Sequence, residues 1–181
     1  SDRCKFSMGI TDEELEAYIE SRERTDSNVK EHELLGPWIS IKTTEYDVIV
    51  EYAADHTYTQ TTIVHHPALI YNGRIDMKYI TGGTWELLED TLHTVLKPDV
   101  KFEMDDSHIT PKPGMEQKVK DYTVEVEAFF KSQTKDIREE RPRSYAASIN
   151  RTGNKIEMMW TETDAEGNEV KQAYYMTKQD D

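Results

Sequence analysis

The feature that most constrains this chain is an alternation of period two that returns along most of its length. In "YDVIVEY", Tyr46, Val48, Val50 and Tyr52 alternate with Asp47, Ile49 and Glu51. That is the pattern of a strand with one apolar face. The stretch "GGTWELLEDTLHTVL", residues 82–96, has two apolar runs around Glu89-Asp90 and reads as a hairpin. Near the C-terminus, Lys155–Thr163 puts Ile156, Met158 and Trp160 on one face. The Gly-containing loop Asp164–Asn168 follows, and Glu169–Thr177 then puts Val170, Gln172, Tyr174 and Met176 on one face.

The remaining segments complete a set of eight. Trp38–Ala53 reads as one long bent strand, followed by Tyr58–Val64, Arg74–Thr81, Thr84–Leu88, Thr91–Leu96 and Ser144–Asn150. Short connections make neighbours antiparallel. Eight antiparallel strands in sequential order close into an up-and-down barrel, which removes exposed edges and leaves room for packed side chains or one small ligand. The expected fold is therefore mainly β.

Two segments stand outside this pattern. Residues 11–24 read as a short helix, with Thr11 and Glu14 at capping-box spacing and a thin stripe of Leu15, Tyr18 and Ile19. A polar tether, Thr25–Glu33, follows it. The chain thus divides into an N-terminal helix and tether, 1–33, and a barrel domain, 34–181, with an insertion at 98–143. Inside the insertion, Val119, Tyr122, Val126, Phe129, Phe130 and Ile137 keep roughly helical spacing. Tyr122, Val124, Val126, Ala128 and Phe130 also alternate as a strand would. The Lys, Glu, Gln and Arg around them favour helix. That apolar face is expected to pack on the barrel, with Phe129 and Phe130 as a lid.

Composition narrows the function. The 181 residues fit one domain, and the net charge of −14 repels nucleic-acid backbones and anionic lipid surfaces. No apolar run is long enough to cross a bilayer as a helix. The single cysteine, Cys4, excludes an internal disulfide, so the fold must rest on packing. The tether hints at a secretion signal or lipid anchor upstream of residue 1.

The chain resembles the bacterial lipocalin-like domains, of the calycin type. Gly36-Pro37-Trp38 in "LLGPWISI" matches the Gly-x-Trp start of the lipocalins. "EYAADHTYTQTT" is similar to their second-hairpin pattern, which usually reads Asp-Gly-Thr-Tyr; His56 stands where glycine is usual. "GGTWELLEDTL" is similar to their central hairpin. The likeness covers residues 34–97 and, more loosely, the last three strands. In lipocalins an arginine near the last strand commonly packs on the first tryptophan, and this chain has no Arg after Arg151. The resemblance implies an exported location, in the periplasm or as an envelope lipoprotein.

The candidate ligand site is the expected barrel interior. Tyr58, Trp85, Met158, Trp160, Tyr174 and Met176 offer aromatic surface and adaptable thioethers. Gln60, Thr62 and Gln172 share those faces and would orient an amphipathic molecule. The competing reading is that these residues simply fill the barrel. Metal chemistry has little behind it. His65 and His66 point to opposite faces of a strand, and Asp105, Asp106 and His108 form one isolated cluster. No nucleophile elbow, P-loop, His-Glu-x-x-His or dinucleotide fingerprint is present, and nothing calls for a cofactor. Asn150-Arg151-Thr152 fits a glycosylation sequon and equally a hairpin turn. The expectation is non-catalytic binding of a small apolar or amphipathic molecule. The alternative is a cell-envelope interaction module with a filled barrel. Oligomeric state is left open.

Overall fold

The computed structural model describes Glu13 and residues 29–136, 143–150 and 154–179, with the backbone alone for residues 98, 135–136 and 143–150. The helix expected at 11–24 lies outside the described residues, save Glu13, which is helical. The fold is mainly β. The strands are β1 (Gly36–Lys42), β2 (Tyr46–Tyr52), β3 (Thr57–His66), β4 (Tyr71–Gly73), β5 (Ile75–Leu88), β6 (Thr91–Asp105), β7 (Ile109–Pro111), β8 (Arg143–Asn150), β9 (Lys155–Thr163) and β10 (Glu169–Lys178). A one-turn helix, α1 (Glu31–Leu34), precedes them. A longer helix, α2 (Glu116–Ser132), lies between β7 and β8 and runs on into a 3-10 turn at Gln133–Asp136.

Eight strands form one strongly curled antiparallel sheet in the order β1-β10-β9-β8-β6-β5-β3-β2, while β4 and β7 pair separately. The curl is uneven. The β1–β2 and β2–β3 hairpins are paired along most of their length. By contrast, β1 meets β10 only at Trp38–Lys178 and Ile39–Thr177, and β8 meets β6 only at Thr91–Thr94. The far halves of β5 and β6 therefore stand clear of β8–β10 and give the sheet the shape of a half-barrel.

Three strand assignments differ from expectation. The segment 38–53 is two strands, not one. Thr43 makes the turn with no glycine or proline: its hydroxyl accepts from the backbone N–H groups of Glu45 and Tyr46 and donates to the Tyr46 carbonyl. Conversely, the expected strands 74–81 and 84–88 are one. Gly82 and Gly83 do not break β5; they permit close approach. A methyl group on Gly83 would overlap the Val95 carbonyl and press on the Tyr58 ring. Opposite them, β6 shifts register between Leu96 and Val100. Pro98 sits in that bulge, where a missing N–H costs no ladder bond. Hence β6 continues to Asp105, and residues 98–105 belong to the sheet rather than to the insertion. The split and the merger cancel, so the main sheet still contains eight strands.

The segment 116–132 is helix. Val119 and Val126 are its buried residues, and they pack with Ile75, Met77 and Tyr79 of β5, with Phe102 and Met104 of β6, and with Tyr122 and Phe130 of the helix itself. In β5, Ile75, Met77 and Tyr79 share parity with Gly83 and Trp85. Thus α2 lies on the concave face of the sheet, at the end where β5 and β6 project. The other end holds a second cluster: Val29, Leu34, Trp38, Val50, Tyr52, Trp85, Leu92, Ile156, Met158 and Met176. Val29, inside the stretch read as a tether, is thus part of the core.

Candidate functional site

The two clusters leave a gap between them on the concave face. A cavity of about 60 Å³ opens there, lined by Val50, Tyr52, Tyr58, Gln60, Thr94, Leu96 and Tyr174. Cross-strand pairing explains the lining. Tyr52 faces Tyr58, Val50 faces Gln60, and Leu96 faces Gly83.

The expected site residues divide between this cavity and the packed core. Tyr58, Gln60 and Tyr174 line the cavity. Trp85, Met158 and Met176 lie in the packed cluster. The Trp85 indole N–H donates to the carbonyls of Ala53 and Thr57 at 3.1 and 2.9 Å, and its ring meets Tyr52 edge-on. The Tyr52 hydroxyl reaches the Met176 sulfur at 4.0 Å. Trp160 is half-buried, edge-on to Tyr174, with its N–H on Glu162. Thr62 sits between Val48 and Tyr79 in the ladder and does not line the cavity. Gln172 is buried, and its Oε1 has no hydrogen-bond partner among the described residues. Thr94 and Leu96, not singled out from sequence, complete the lining. Their alternation with Leu92 was the available signal.

The expected lid touches none of this. Phe130 packs on the sheet, edge-on to His66, whereas Phe129 is 59% exposed. Adjacent helical residues differ by about 100° in direction, so one faces the sheet when the other does not. The helix is held by polar contacts as well. The Tyr79 hydroxyl donates to the Phe130 carbonyl at 2.8 Å. His66 Nε2 lies 2.5 Å from the Tyr122 hydroxyl. Burial pulls the His66 imidazole below its ordinary range. It also pushes the neighbouring Tyr71 phenol up to about 12, with Tyr122 adding to the effect.

His65 and His66 do point to opposite faces. On the outer face, His65 lies between two carboxylates: Nδ1 is 2.8 Å from Asp76 and Nε2 is 3.0 Å from Asp47. Both ring nitrogens are thus within hydrogen-bond distance of a carboxylate. The arrangement ties β2, β3 and β5 together. Asp105 organises a turn, accepting from the backbone N–H and hydroxyl of Ser107. Among the described residues no group of three His, Cys, Asp or Glu side chains is placed to hold a metal ion.

At the other end, Trp38 is buried and donates its indole N–H to the Leu34 carbonyl at 2.7 Å. The Lys178 ammonium lies 4.8 Å from the centre of the Trp38 ring and also donates to the Leu35 carbonyl. A cation from the last strand thus covers the first tryptophan. No protein-family model matches the chain, and a search of curated proteins finds no significant relative.

Proposed function

We propose that this chain is a non-catalytic interaction module built on a lipocalin-like closed barrel whose interior serves as a packed scaffold. The observation that carries this reading is the small size of the cavity that the described residues line. Sites for drug-sized molecules occupy about 300–1,000 Å³. The cavity here is about 60 Å³, room for a few waters. Trp85, Met158 and Met176 instead fill space. Meanwhile Val124 and Phe129 on α2 are exposed, as is Leu69, in the loop whose Ala68 and Ile70 pack with the helix. Exposed apolar side chains around one element are where a partner would dock. The lipocalin-like part of the proposal rests on the Gly36-Pro37-Trp38 start, the ring order of the strands and the Lys178 cation over Trp38. Its corollary is an exported, envelope-associated domain. Among the described residues no helix is long and apolar enough to cross a membrane.

A second reading has one observation in its favour. The cavity has tyrosine, Gln60 and Thr94 on its walls, and the slender apolar end of an amphipathic molecule would fit it. Titration with a fatty acid and with a hydrophobic fluorescent probe separates the two. The scaffold reading expects no saturable one-to-one binding to wild type. Saturable binding that is abolished by Thr94→Leu, which fills the void, would replace it with the binder reading.

A further inference from the structure

Two adjacent strands are buried on both faces. In β9, Ile156 and Met158 point into the concave cluster. Side chains alternate along a strand, so Glu157 and Met159 point outward. Their neighbours across the ladder on β10 are Tyr175 and Ala173. Yet Glu157 is 2% exposed, Met159 6% and Ala173 1%. Elsewhere on the outer face Glu51, Thr59 and Glu86 are exposed. The described helices are in other places: α2 is on the concave face, and α1 lies against Trp38. Neither accounts for this burial.

The chain before Val29 is in reach of that face. Val29 shares a cluster with Ile156 and Met176, which are chain neighbours of Glu157 and Tyr175. Residues 25–28 extend at most about 14 Å. That passes round the end of a sheet, where packed layers lie about 10 Å apart. The next segment back, 11–24, carries Leu15, Tyr18, Ile19 and Arg22 at positions i, i+3, i+4 and i+7, which share one side of a helix. Glu13 is helical and exposed, and at about 100° per residue it stands opposite that side. By comparison, 137–142 and 151–153 carry one apolar side chain between them, Ile137.

We propose that residues 11–24 dock as a helix on the outer face of β9 and β10, with Arg22 on Glu157. Charge and spacing select this arrangement. A buried carboxylate is tolerated where a cation or donors meet it, and Arg22 is the cation on an otherwise apolar stripe. Arg22 is also the stripe residue nearest to Val29, and Glu157 is nearer than Met159 to the end of the sheet where Val29 packs. Tyr18 lies about 6 Å before Arg22 along a helix, and Met159 about 6.6 Å beyond Glu157 along a strand. Arg22 over Glu157 therefore sets Tyr18 over Met159, where small Ala173 leaves room beside it. A short helix is marginal alone, and ordering it costs much of what the stripe returns. Docking thus adds little net stability to the sheet and responds to single charge changes. The proposal does not rest on the scaffold reading.

Paramagnetic relaxation in the full chain tests it. Cys4→Ser removes the native thiol, and Thr161→Cys, at an exposed outward position of β9, carries a nitroxide. Amide signals of residues 15–22 should lose intensity. A nitroxide at Thr59→Cys, on a strand four away in the sheet order, should leave them unchanged. Tyr18→Ser and Arg22→Glu, each combined with the Thr161 label, should restore the intensity, and both leave the strands untouched. Adding Glu157→Gln to Arg22→Glu removes the repulsion between carboxylates and should bring back part of the loss. Full intensity in wild type overturns the proposal, as does equal loss from both labels. So does loss that persists in Tyr18→Ser or Arg22→Glu, or an Arg22→Glu variant that Glu157→Gln does not rescue. Loss seen in a nitroxide-free chain mixed with a labelled one would put a second copy on this face and overturn it as well.

Discussion

His56 shows how a single residue departs from local rules and is held there by its surroundings. It has φ 68°, the left-handed region that glycine adopts freely and other residues enter at a cost of about 1–2 kcal/mol. Its ring lies tilted against Trp85 at 4.6 Å between centroids, and its Nε2 lies 2.6 Å from Glu31. His56→Ala should lose these contacts and keep the backbone cost. His56→Gly loses the same contacts but removes that cost. The glycine variant should therefore be the more stable of the two by about 1 kcal/mol, measured by denaturant titration. This reverses the usual order of Ala over Gly. Trp38 is the other decisive residue. Its burial, its bond to Leu34 and the Lys178 cation make Trp38→Ala cost about 3–5 kcal/mol. A denaturation midpoint equal to wild type would show that it is not part of the core. The contact of Lys178 with Trp38 was not legible, because only the fold brings residue 178 onto residue 38.

At the scale of elements, α2 is the test of what the concave face does. Phe130→Ser should cost about 2 kcal/mol, since that ring is half-buried against the sheet. Phe129→Ser should stay within about 0.5 kcal/mol of wild type, as surface changes do. Equal effects would mean that the helix is rotated from the position described. The docking of α2 should also weaken in acid. Burial lowers the His66 pKa in the folded state below its ordinary value of 6.5. Between the two values the unfolded chain binds more protons, so stability rises with pH there. The His66 contribution is complete above about pH 6.5 and is lost as pH falls through the folded value. Thermal midpoints from pH 8 down to pH 4 should show this slope in wild type and a shallower one in His66→Gln. The helix itself was legible from its spacing. Which of Phe129 and Phe130 faces the sheet was not, because both fit a broad apolar stripe.

At the scale of the whole molecule, the question is where the packed unit begins. Val29 and Leu34 are buried in the same cluster as Trp85 and Met158, and the Leu34 carbonyl accepts from Trp38. A chain starting at Lys30 should lose about 1–2 kcal/mol, the worth of one buried valine. A chain starting at Leu35 should lose about 2–4 kcal/mol more, from Leu34 and the unpaired indole. Both should keep β-type circular dichroism, with thermal midpoints falling in that order. Loss of the β signal in the first would show that the N-terminal segment organises the sheet rather than lying against it.

By itself the sequence determined the local pattern. Period two in Tyr46–Tyr52 and Lys155–Thr163, the Glu89-Asp90 turn and the helical spacing of Val119, Tyr122 and Val126 all depend on neighbours a few residues away. The faces followed as well: Val48, Val50, Tyr52, Met158 and Met176 point inward as their alternation requires. Only the tertiary structure decided the rest. The split of 38–53 depends on a threonine hydroxyl finding two N–H groups, and threonine is common within strands. The continuity of β5 through Gly82-Gly83 depends on what lies against those glycines, and in sequence a pair of glycines resembles a turn. The size of the cavity depends on the fit of side chains from four strands, β2, β3, β6 and β10. Packing of that kind is a sum of contacts between residues far apart in the chain, and no local pattern encodes it.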